Sequence, residues 1–237
     1  ATILVKQKTG ERAVFFERAT ATEPEFLEAH KQLIESAYIL HINGRHRKLM
    51  RSAMAVAKEV GTIISLDGGA QRYDEDMKPI TEASHIVIVA RDYAEKYTGT
   101  TNLEDACRII HDRGALIAGV TDGANGSYFV WPDGTSYRCE PFSQATVVDT
   151  TGAGDSFHGA FLYMLTKTLC KIADGTNTST MNETSQSLNA IDLLHSCAHE
   201  DLEKAATFAS AVAALNTQGI GGRSPLPSLE DIKALIG

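Results

Sequence analysis

Short apolar runs alternate with longer segments whose apolar positions recur every three or four residues, and this rhythm runs through most of the chain. From Pro24 onward it predicts helix over Glu25 to Ser36, strand over Tyr38 to Ile42, helix over His46 to Val60, and strands over Thr62 to Leu66 and His85 to Val89. Helix over Asn102 to Arg113 and strand over Ala115 to Val120 follow, then Tyr128 to Trp131 and Thr135 to Arg138 on either side of a Pro132-Asp133-Gly134 turn. The β-branched run Ala145 to Val148 suits a buried parallel strand. Beyond it Phe157, Phe161, Leu162 and Leu165 fall at helical spacing, so a helix starts near Gly152. An alanine-rich helix over Leu202 to Leu215 and a closing helix after Pro225-Leu226-Pro227-Ser228 complete the pattern. Strands alternating with helices predict βαβ units and a parallel sheet, hence an α/β fold in one globular unit.

Two stretches break the rhythm. Ala1 to Val5 and Ala13 to Phe16 are strand-like and are joined by Lys8-Thr9-Gly10-Glu11-Arg12, which predicts a hairpin. Lys171 to Glu200 carries Asp-Gly-Thr-Asn-Thr-Ser-Thr and Asn-Glu-Thr-Ser-Gln-Ser, a composition that buries little and predicts a mobile polar insertion.

Composition narrows the class. The 237 residues suffice for one sizeable core, and a formal charge of −8 argues against a broad basic face for nucleic acid. No apolar run approaches the ~20 residues of a membrane span, and the start lacks a signal-peptide pattern, so a soluble cytoplasmic protein is expected. Cys107, Cys139, Cys170 and Cys197 are widely spaced, which fits reduced thiols rather than a disulfide framework. His195 and His199 would share a helix face, but no second ligand pair accompanies them and no zinc site is assigned.

Ligands of a parallel sheet gather at the carboxyl ends of its strands, which draws attention to Asn43, Gly44, Arg45, Asp67, Gly68, Thr121 and Asp122. The strongest chemical signal is Asp149-Thr150-Thr151-Gly152-Ala153-Gly154-Asp155-Ser156-Phe157 followed by Gly159-Ala160-Phe161. A helix that begins in a glycine turn aims unpaired N–H groups and the positive end of its dipole at what lies before it, which favours a phosphate. Asp155 in that first turn is a poor phosphate ligand and a good proton acceptor, so the pair points to phosphoryl transfer onto a hydroxyl that Asp155 deprotonates. It is no P-loop, since no Gly-Lys-Ser/Thr follows. A bare Gly-x-Gly-Asp would serve equally as a tight strand-to-helix turn with a dipole partner.

The longer string closely resembles the C-terminal signature of the ribokinase family, the phosphofructokinase-B sugar kinases. That resemblance implies a ribokinase-like three-layer α/β/α fold with a mostly parallel central sheet and a small β lid over residues 1–18, and ATP with Mg²⁺ as cofactors. It gives the anion hole to Gly152, Ala153 and Gly154 and the catalytic base to Asp155, which also contacts the substrate. Thr121-Asp122-Gly123-Ala124-Asn125-Gly126 matches the family's Thr-x-Gly-x-x-Gly, so Thr121, Gly123 and Gly126, with Thr151, Ser210, Leu215 and Gly219, would face the nucleotide. Asp149 and Thr151 would hold potassium. Arg12 in the lid and Arg45 are substrate-binding candidates, the latter because His41-Ile42-Asn43-Gly44-Arg45 looks like the ketohexokinase branch; a solvated loop arginine is the plainer reading of Arg45. The family's Asn-x-x-Glu falls on Ala90 and Tyr93, a departure, and residue 1 aligns well inside a typical member. The expected partner is a small sugar, without nucleic acid or membrane, and the lid could carry a homodimer. Two other readings compete: a nucleoside kinase of the same family, and a non-catalytic sugar or nucleotide sensor.

Overall fold

A computed structural model describes residues 2–6, 12–15, 20–142, 146–178, 189–223 and 226–237. Strands β1 (Thr2–Val5) and β2 (Arg12–Phe15) pair antiparallel, Thr2 facing Phe15 and Val5 facing Arg12, as the hairpin pattern requires. The turn between them lies outside the described residues.

The main sheet has the order β3 (Ile39–Ile42), β4 (Ile63–Gly68), β5 (Ile86–Ala90), β6 (Ile117–Thr121), β7 (Ser127–Val130) and β8 (Ser136–Cys139). The first four are parallel, and β7 and β8 are added antiparallel. Alternation along each strand divides the core in two. Ile63, Ile86, Ile88 and Ile117 turn to one face and pack against α6 (Ala153–Thr178), α7 (Ala190–His195), α8 (His199–Asn216) and α9 (Leu229–Ile236). Ile64, Leu66, Val87, Val89 and Val120 turn to the other, where α1 (Glu28–Glu35), α2 (Arg47–Val60), α3 (Lys78–Glu82), α4 (Arg91–Thr98) and α5 (Leu103–Asp112) lie. This is the ribokinase-like three-layer α/β/α arrangement. Among the described residues no helix is long and apolar enough to cross a membrane.

Two expectations are corrected. Thr146 to Val148 form no strand; Val147 is 40% exposed, and the Val148 and Asp149 amides donate to the Thr217 carbonyl at 2.8 and 3.1 Å. The β-branched run is a connection clasped by the end of α8 rather than a sheet member; Ala145 lies outside the described residues. The proposed insertion is helical at both borders: α6 runs on to Thr178 because Leu165, Leu169, Ile172 and Ala173 continue its apolar stripe, and Asn189 caps α7, which buries Leu193 and Leu194. Residues 179–188 lie outside the described set. Helices α3 and α4 stand in addition to the predicted elements, and Tyr93, Ala94 and Tyr97 provide the buried stripe of α4.

Candidate active site

The segment Asp149 to Gly154 is shaped by one buried carboxylate. Asp149, 3% exposed, accepts the Thr151 amide on Oδ1 at 2.8 Å and the Gly221 amide on Oδ2 at 2.9 Å, tying the turn before α6 to the loop after α8. Gly152 makes the closest part of this contact. Its φ is +79°, and a Cβ there would stand 2.5 Å from Gly222 Cα, so neither the backbone conformation nor the space admits another side chain. The helix then opens with Ala153, and Gly154 and Asp155 sit exposed in its first turn, where amides have no preceding helical carbonyl to bond.

That turn forms one wall of a cavity of about 550 Å³. Thr121, Gly123 and Gly126 border it from the end of β6 and the 3₁₀ turn Gly123–Asn125. Gly126 has φ +84°, and a Cβ there would overlap the Cys139 carbonyl. The opposite wall is a single face of α8 and its end, Ser210, Ala213, Ala214 and Thr217 at helical spacing. Phe157 and His158 form part of the base.

Of the residues singled out in the sequence, Ala153, Gly154, Thr121, Gly123, Gly126 and Ser210 line this cavity. Leu215 does not; it is rotated off that face and packs against the core, and Ala213, Ala214 and Thr217 take the position instead. Gly152, Thr151 and Gly219 also stand off the lining, and Asp155 projects outward beside it. Arg45 is exposed in the loop after β3, where its amide donates to Asn43 Oδ1 at 3.2 Å. The side chain of Arg12 lies outside the described residues.

At the place of the family's Asn-x-x-Glu, Tyr93 is wholly buried with its hydroxyl 2.7 Å from Thr81 Oγ1, and burial pushes its pKa up to about 12. It is a core residue. The adjacent Arg91 donates to Asp122 Oδ2 at 2.7 Å and Glu95 Oε1 at 2.8 Å, so its charge is shared between two carboxylates near the end of β6.

A second polar group occupies the carboxyl ends of β3 and β4. Asp67, 7% exposed, receives Arg72 Nη1 on Oδ2 at 3.1 Å and His158 Nε2 on Oδ1 at 3.3 Å. Burial alone would raise the Asp67 pKa, but bonding to His158 and the Arg72 charge outweigh it and hold the carboxyl below its ordinary value. His41 Nδ1 lies 3.2 Å from Ser65 Oγ, and its ring centroid is 5.5 Å from that of His158. Desolvation of the His41 ring lowers its pKa, as does His158, while Asp67 and Asp155 act in the opposite sense. Sequence reasoning flagged Asp67 by position but passed over His41, Arg72 and His158. The available signal was the spacing of Asp155 and His158, three apart and so on one helix face.

Solved structures with this architecture include fructokinase from Xylella fastidiosa with bound ATP (TM-score 0.74, 20% identity, 99% of this chain and 72% of that one). Another is a fructokinase double mutant from Vibrio cholerae O395 in a fructose-, ADP- and potassium-bound form (TM-score 0.64, 22% identity, 85% and 61%). At such identities the likeness defines the fold. The sequence itself goes further: the pattern described as pfkB family carbohydrate kinase matches residues 1–229, and the chain belongs to that family. A protein named Probable fructokinase-5 from Arabidopsis thaliana is 29% identical over 248 residues, covering 97% of this chain and 68% of its own length. The chain thus spans about two thirds of that relative.

Proposed function

We propose that this protein transfers the terminal phosphoryl group of ATP to a hydroxyl of a small carbohydrate. The observation that carries the reading is the exposed first turn of α6, with Gly154 on the wall of a cavity large enough for a nucleotide and Asp155 beside it on the outer side. A nucleotide in the cavity would place its phosphates against the Ala153 and Gly154 backbone, where the helix end favours negative charge. Asp155 would accept the proton of the attacking hydroxyl; phosphoryl transfer through a loose transition state asks of the protein mainly positioning and charge stabilisation.

Magnesium commonly reaches such sites bound to substrate phosphates with few protein ligands. Among the described residues no group of three His, Cys, Asp or Glu forms a cage, and Mg²⁺ when bound would offset charge on the phosphates. For potassium the fit is better: Thr151 Oγ1 is buried without a hydrogen-bond partner beside the nearly inaccessible Asp149 carboxylate, a donor set that suits a monovalent cation holding the turn. Leu4 and Phe15, each 58% exposed on one face of the lid, support a homodimer formed there.

The test is an ATP-coupled assay with D-fructose, D-ribose and adenosine as acceptors, which separates a sugar kinase from a nucleoside kinase. Nucleotide binding without any ATP turnover across a broad acceptor panel would instead support a sensor.

A further inference from the structure

The α6 start lies between two groups of residues, with His158 lining the cavity and also reaching Asp67. One group lines the cavity with residues of β6 and α8; the other, His41, Ser65 and Asp67, stands on β3 and β4. Transfer in line across the tip requires the acceptor on the side away from the nucleotide. His41 is placed for it. It is exposed, its Nδ1 lies within hydrogen-bond reach of the fully buried Ser65, and its ring centroid is 5.5 Å from that of His158, which contacts Asp67 in turn. His158 follows Asp155 by one helical turn, and the Asp155 charge lies near enough to act on the His41 ring.

Resting on the phosphotransfer reading above, we propose that His41 is an acceptor-binding residue whose Nε2 hydrogen-bonds a hydroxyl of the carbohydrate beside Asp155, with Ser65 and the Asp67–His158 pair as the positioning residues that fix the ring. The chemistry selects a hydroxyl over an anion. The Ser65 hydroxyl can donate to Nδ1 or accept from it, leaving Nε2 of the neutral ring as donor or acceptor respectively; a sugar hydroxyl matches both states and a phosphate oxygen matches one. Desolvation moves the His41 pKa down, in the direction that favours the neutral ring, although the residue as a whole keeps an exposed edge.

Three substitutions separate binding from scaffolding, because an asparagine amide reproduces the Nδ1 position and a glutamine amide the Nε2 position. With D-fructose, D-ribose and adenosine as probes, His41→Leu and His41→Asn are expected to raise the KM of the accepted substrate about tenfold or more, with the ATP KM changed less than about twofold, whereas His41→Gln recovers most of the loss. Ser65→Ala should shift acceptor KM in the same direction by a smaller factor. Recovery in His41→Asn but not His41→Gln would mean that the Ser65 bond alone matters and would overturn the proposal. So would a fall in melting temperature with acceptor KM unchanged, or a change confined to ATP. Wild-type protein without turnover on any of the three probes would reject the kinase reading itself, and this inference with it.

Discussion

Gly154→Ala separates folding from ligand binding at the centre of the proposed site. An added Cβ meets no atom within 4 Å, and Gly154 is not among the residues in the left-handed region, so the free protein accommodates alanine. Replacing a helical glycine lowers the entropy of the unfolded chain and is worth about 0.5–1 kcal/mol in favour of the fold, which for a chain of this size is a rise of roughly 1–4 °C in melting temperature. A phosphate drawn to the first-turn amides would meet the new methyl group. Losing one hydrogen bond to a charged group costs about 1.5–3 kcal/mol, or roughly 10- to 150-fold in kcat/KM for ATP. Differential scanning fluorimetry and a coupled kinase assay on the same preparation read both quantities. Unchanged kcat/KM would refute the idea that a phosphate packs on this turn, and a melting temperature several degrees lower would refute the open space assigned to it. Gly152→Ala is the contrasting control: with φ +79° and backbone atoms of Gly222 at 2.5 and 2.8 Å, it should cost about 2–5 kcal/mol and lower the melting temperature by roughly 4–20 °C.

Asp155→Asn should keep the ATP KM within a few-fold while turnover falls by roughly 10² or more, the size of a general-base contribution; undiminished turnover in a rapid-quench assay would remove Asp155 from the reaction. Thr151→Val in potassium-free buffer should raise the melting temperature by roughly 2–4 °C, since it deletes a buried hydroxyl without a partner, and should abolish activation by K⁺; activation that survives would place the cation elsewhere. The Asp67 carboxyl is depressed in the folded state, so its contribution is fully present above the unfolded value of 3.8 and is lost as pH falls through the lower folded value. Denaturation of wild type and Asp67→Asn across that range should show the stability gap closing as acid is added, and a gap that widens would contradict the Arg72 ion pair and the His158 contact of Asp67.

Much of the architecture was already present in the order of residue types. The alternation of short apolar runs with amphipathic segments determined the parallel core from β3 to β6 and the helices α2 and α5 between its strands, because periods of two and of 3.6 residues leave different traces in any sequence that buries one face. The string from Asp149 to Asp155 likewise announced a helix start in a glycine turn, since the φ of +79° at Gly152 and its close approach to Gly222 are requirements of local geometry. Tertiary structure decided what local patterns leave open. Val147 and Val148 have the side chains of a strand but pair with no strand among the described residues, and Thr217 accepts from the Val148 and Asp149 amides instead. Leu215 and Ala214 are adjacent in sequence, yet the packing of α8 sends one to the core and gives the other to the cavity. His41, Asp67 and His158 come from three separate elements, and their meeting depends on the register of β3 against β4 and on how α6 crosses them, distances that no spacing along the chain encodes.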